Sequence, residues 1–87
     1  MKMLKRVYLT EQHHPTGKTR HFRGGELLGA PAELRIAQFE DQPGFYLLYC
    51  DQSGNELTDT FHDTVEKAME QADWEFTIKP TDWQDID

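Results

Sequence analysis

An α+β domain is what this sequence predicts: a mostly antiparallel sheet of four or five strands with one long C-terminal helix packed on one face. Three observations carry that prediction. Three apolar stretches between residues 34 and 61 are separated by Asp41-Gln42-Pro43-Gly44 and Gln52-Ser53-Gly54, both of turn composition. From Val65 onward, apolar side chains recur at helical rather than alternating spacing. The chain has 87 residues, of which 37% are hydrophobic, enough for one modest core, so residues 1–87 are read as a single domain.

The elements follow in order. Met3 to Thr10 carries Val7 and Leu9 on one alternating face and Leu4 and Tyr8 on the other, the pattern of a strand buried on both sides. Glu11 to Gly25 holds Pro15, Gly17, Gly24 and Gly25 and reads as a long loop or a loosely paired hairpin. Leu27 and Leu28 are expected at a core edge, with Gly29 and Pro31 bending the chain away. In Leu34 to Glu40, Leu34 and Ile36 point inward before the phase slips to Phe39, which a bulge would absorb. Phe45 to Asp51 places Phe45, Leu47 and Tyr49 on one face and Tyr46, Leu48 and Cys50 on the other, the mark of a central strand. Glu56 to Phe61 completes an antiparallel meander.

Asp63 is the expected helix start, its carboxylate facing the free N–H groups of the first turn and Glu66 completing a capping box. Val65, Ala68, Met69, Ala72 and Phe76 then form one apolar stripe. Pro80 forbids continuation, and Lys79 suits the negative end of the helix dipole. At about 100° per residue, Trp74 and Ile78 fall opposite the stripe, beside an acidic ridge of Glu66, Glu70 and Asp73. An outward Trp on such a ridge is either covered by the N-terminal segment or the Trp83 tail, or is a partner surface. The tail itself reads as short and acidic.

Charge is divided unevenly. Residues 1–23 hold six cations against Glu11, a balance of +5, while residues 24–87 hold three cations against fifteen carboxylates, a balance of −12. A basic head on an acidic body points to pairing within the protein or with something outside it. The strongly acidic body disfavours nonspecific contact with nucleic acid or an anionic membrane. No apolar run approaches the roughly 20 residues needed to span a bilayer. The first residues lack the apolar stretch and cleavage site of a signal peptide. With one cysteine, Cys50, no intrachain disulfide forms, and a cytoplasmic location is expected.

No motif for catalysis, metal or cofactor stands out. Gly17-Lys18-Thr19 resembles the end of a phosphate-binding loop, but the position five before Gly17 is Gln12, where that loop needs glycine. His13, His14, His21 and His62 lack the paired spacing of zinc ligands. His62 is expected to exchange hydrogen bonds with Asp59, Thr60 and Asp63 at the strand-to-helix corner. Cys50, next to Asp51 and near Glu56, is expected as a small core residue rather than a nucleophile. No enzyme activity, cofactor or metal is therefore expected.

The segment Gly44 to Trp83 resembles a stretch found in small bacterial proteins of unknown function. The likeness rests on the YLLY strand, the Asp59-Thr60-Phe61-His62 corner, the EKAMEQADWEF helix and the closing Pro80-Thr81-Asp82-Trp83. More loosely, the chain resembles products of mobile gene cassettes. The resemblance implies the fold and assigns no functional residue. The functional expectation is a non-enzymatic protein-interaction module of inhibitor or immunity type, binding a protein partner or a second copy in a homodimer. Trp74, Ile78, Glu70 and Asp73 on the helix and Lys18, Arg20 and Arg23 in the basic segment are its candidate contacts. The alternatives are nucleic-acid binding through that basic segment, where Phe22 adds an aromatic, and small-molecule binding. No membrane partner is expected.

Overall fold

The computed structural model describes residues 1–13, 16, 22–23, 25–27 and 31–86, with backbone alone for 22, 23, 26 and 27. In chain order the elements are β1 (Lys2–Tyr8), β2 (Phe22–Arg23), β3 (Glu26–Leu27), β4 (Glu33–Gln38), β5 (Phe45–Cys50), β6 (Glu56–His62), α1 (Val65–Phe76), a 3-10 turn at Pro80–Asp82 and β7 (Gln84–Asp85). Five strands form one antiparallel sheet in the order β6-β5-β4-β1-β7, and β2 pairs with β3 in a separate hairpin. The α+β architecture with the C-terminal helix on one sheet face is the predicted one. The expected meander is β4-β5-β6.

Turn chemistry sets the meander's register. At the first turn Gly44 has φ +93°, and a Cβ built there would collide with the Phe61 ring, so the position needs glycine twice over. At the second, the Asp51 carboxylate accepts from the backbone N–H groups of Ser53 and Asn55, each at 2.9 Å. Those donors, the Asn55 N–H foremost, hold the Asp51 carboxyl below the usual carboxylate range.

Side chains alternate across the sheet. The helix side carries Val7, Leu34, Ile36, Leu47 and Tyr49, which pack against Ala68, Ala72 and Phe76 of α1. The opposite side reads, strand by strand from β6 to β1, as three cross-strand rows. The first is Phe61–Tyr46–Ala37–Met3, the second Asp59–Leu48–Arg35–Arg6, and the third Glu56–Cys50–Glu33–Tyr8. Ala37, Leu48 and Cys50 form a small second core there, flanked by Met3 and Tyr46. β5 is thus apolar on both faces, as its sequence predicts.

Three expectations need correction, and the reading of the tail needs extending. Phe39 lies beyond β4, over the edge of the Tyr46 ring at 5.2 Å, and the β4–β5 register runs without a bulge. The irregularities fall instead between Met3 and Lys5 on β1 and beside Tyr49 and Cys50, where β6 carries the extra residue Leu57. β1 is not buried on both sides: Val7 is buried, whereas Tyr8 is half exposed, because the helix covers only one face. The acidic tail is structural: Trp83 enters the helix-side core and Gln84–Asp85 pair with β1. Finally, α1 starts one residue later than expected. Thr64 Oγ1 accepts from the Lys67 N–H at 3.1 Å, while Asp63 stands outside the helix and pairs with Lys67 at 3.7 Å. Lys67 occupies the third helical position, where a capping box needs Glu or Gln, so no reciprocal box forms at this helix.

Thr64→Ala is therefore expected to cost about 1 kcal/mol and Asp63→Ala only a few tenths. Urea midpoints of the two variants decide it, and the reverse order would return the helix start to Asp63.

Candidate functional site

The outward side of α1 and the segment that follows it enclose a groove of about 290 Å³ lined by Glu66, Met69, Glu70, Asp73, Ile78 and Pro80. The helix contributes four of these at i, i+3, i+4 and i+7, which places them along one ridge. The remaining two come from a sharp reversal. Thr77 takes a left-handed conformation at φ 60°, its N–H closing the helix on the Asp73 carbonyl at 2.8 Å. The chain then doubles back, bringing Ile78 and Pro80 against the ridge. Met69, Ile78 and Pro80 give the groove an apolar floor, and three carboxylates give it an acidic rim. Asp73 is tied to Lys79 Nζ at 3.0 Å, whereas Glu66 and Glu70 meet no cation among the described residues.

The sequence-predicted contacts divide on this geometry. Glu70, Asp73 and Ile78 line one groove. Ile78, however, is not an outward residue: it is 1% exposed and belongs to the core. Helical phase misplaced it because α1 ends at Phe76, and past Thr77 a residue no longer follows the helical wheel. Trp74 is 43% exposed, outside the lining residues, and its carbonyl accepts from the Thr16 hydroxyl at 2.6 Å. The N-terminal segment thus touches the backbone beside Trp74. Lys18 and Arg20, and the side chain of Arg23, lie outside the described residues, as does Gly17-Lys18-Thr19. Met69 and Pro80 were absent from the sequence-predicted contacts, the first counted to the core stripe and the second read only as a helix stop.

Two polar clusters stand apart from the groove. On the helix side the Tyr49 hydroxyl donates to the Glu75 carboxylate, which is buried beneath the end of α1. Burial first, and then the bond to Glu75, push the Tyr49 phenol far above its ordinary range, so it stays a donor. Nearby, Thr60 Oγ1 and His62 Nε2 lie 2.7 Å apart, and burial draws the His62 pKa down. That contact realises one of the hydrogen bonds expected at the strand-to-helix corner. In the second cluster His13 accepts at Nδ1 from the Thr10 N–H at 2.9 Å, leaving Nε2 to donate to Asp82 at 3.1 Å. The Asp82 carboxylate also accepts from the Lys79 N–H at 2.9 Å, and these bonds, Lys79 first, lower its pKa. This pair pins the start of the 10–31 connection to the 3-10 turn. A histidine in a glycine-rich loop and an aspartate 69 residues later carry no spacing by which sequence reading could have joined them.

Cys50 is a core residue at 1% exposure, and burial pushes its thiol up, away from thiolate chemistry. Among the described residues, no three His, Cys, Asp or Glu side chains stand together as a metal site, and no helix is long and apolar enough to cross a membrane. No known protein family, curated protein or solved structure matches this chain.

Proposed function

We propose that this chain is a non-enzymatic interaction module, of inhibitor or immunity type, that engages a basic protein partner through the groove on the outward side of α1. The observation that carries this reading is the groove's composition: an apolar floor of Met69, Ile78 and Pro80 under the carboxylates of Glu66, Glu70 and Asp73. A lysine or arginine suits such a site, its aliphatic stem lying on the floor and its charged head reaching the rim. The −12 balance of residues 24–87 adds a long-range field that speeds encounter with a cationic surface. Trp74, on the same helix, supplies the aromatic anchor typical of interface centres.

The test is capture of a partner from the native host, followed by calorimetry on the purified pair. Glu70→Lys is expected to weaken binding about tenfold or more and to reduce its salt dependence. Trp74→Ala should leave the domain folded and weaken the same complex by a similar factor. A partner bound equally well by both variants would overturn the reading. Oligonucleotide binding that survives Glu70→Lys would move the function to the basic segment around Lys18, Arg20 and Arg23.

A further inference from the structure

The rim of the α1 groove differs between its two ends. At the C-terminal end Asp73 accepts Lys79 Nζ at 3.0 Å, so one carboxylate there already holds an ammonium that the chain itself supplies. At the other end Glu66 and Glu70 stand at i and i+4, both exposed and about 6 Å apart along the helix axis. Lys67, between them in sequence, turns away to Asp63 at 3.7 Å. Two like charges one turn apart weaken a helix, so this end of the ridge is kept against the interest of the fold. Between the ends lie Met69, half-buried, and Pro80, exposed, with Ile78 buried beneath them. At about 290 Å³ the groove sits at the lower limit of small-molecule pockets, roughly 300–1,000 Å³. It has room for one long side chain and not for a helix.

On the footing that this groove is the partner surface proposed above, we infer that it takes an arginine side chain of the basic partner in preference to a lysine. A guanidinium carries donors along two edges of one plane. It can bond Glu66 by one edge and Glu70 by the other while the two carboxylates stay a helical turn apart. An ammonium is a compact point charge, and holding both carboxylates would draw the like charges together. The seat that suits it has a single carboxylate, and at Asp73 that seat is filled by Lys79. The guanidinium is also the less strongly hydrated of the two, so it leaves water more readily to lie against Met69 and Pro80. Its aliphatic stem covers the same apolar surface. The −12 balance of residues 24–87 favours a cationic occupant, and the same rim repels a phosphate-bearing strand.

Capped glycine–X–glycine tripeptides test this, with X arginine, lysine or the uncharged isostere citrulline. Each is titrated into the full chain while the Met69 methyl signal is followed by NMR. The arginine peptide is expected to shift that signal with millimolar affinity, the lysine peptide to bind about fivefold more weakly or less, and the citrulline peptide not to bind. Glu66→Gln and Glu70→Gln should each bring the arginine peptide down to the level of lysine. Neither should lower the melting temperature, since each removes a like-charge neighbour. Asp73→Asn should leave the arginine-to-lysine ratio within about twofold of the wild type. Lysine bound as tightly as arginine, or an arginine preference that survives both Gln variants, would overturn the inference and leave the wider reading of a basic partner standing. A Met69 signal unmoved by every peptide would overturn it too. The wider reading falls with it only if the captured partner also binds Glu70→Lys as well as the wild type. Self-association in sedimentation that Glu66→Gln/Glu70→Gln abolishes would give the groove to a second copy and overturn the assignment to an outside partner.

Discussion

Ile78→Ala is expected to lower stability by about 3 kcal/mol, the range for truncating a fully buried aliphatic side chain that leaves a cavity. Ile78 packs in the helix-side core with 1% exposure, and it also forms part of the groove floor. For a domain whose whole stability is about 4–13 kcal/mol, that is a large fraction. Trp74→Ala, four residues earlier, should cost no more than about 1 kcal/mol, because its ring is 43% exposed. Urea unfolding of both variants gives the comparison directly. A loss at Ile78 no greater than about 1 kcal/mol would show that the residue is dispensable to the core.

Tyr49→Phe carries the second large effect. It removes the hydroxyl that donates to the buried Glu75 carboxylate, and about 2 kcal/mol should go with it, as for other hydrogen bonds to charged groups. A double-mutant cycle with Glu75→Gln should return a coupling of about 1–2 kcal/mol, and a coupling near zero would deny the pair any role. The pH dependence has a definite sign. A phenol whose pKa is raised on folding contributes stability that is whole below the unfolded value of about 10 and is lost as pH rises beyond it. The wild type should therefore lose stability in alkali by an increment that Tyr49→Phe lacks.

How far the fold was legible in the sequence follows from how local each signal is. The β4-β5-β6 meander was readable because Pro43-Gly44 and Ser53-Gly54 punctuate it, and because both alternating faces of Phe45–Cys50 are apolar. The apolar stripe of α1 was readable from its period alone. The helix start was missed by one residue, since Asp63 and Thr64 are both good caps and only the backbone geometry chooses between them. Ile78 was misread because a non-glycine residue, Thr77, adopts the left-handed conformation that ends the helix, and threonine announces no such thing. The site was legible in part. Its acidic ridge follows from spacing on one helix, but its floor depends on a chain reversal, and the ordered rows of the open face depend on register across four strands. Neither is a property of any short stretch.

The position of the only thiol has a further consequence. Cys50 closes the central strand β5, pairs with Glu33 on one side and Glu56 on the other, and is 1% exposed. A thiol reagent in excess can reach it only when that end of the sheet parts, so labelling becomes a clock on rare excursions of the native chain. If reclosing outruns labelling, the observed rate divided by that of a free thiol gives the population of the parted form. The same measurement in the presence of a bound partner would report how strongly binding tightens the sheet, without any introduced probe.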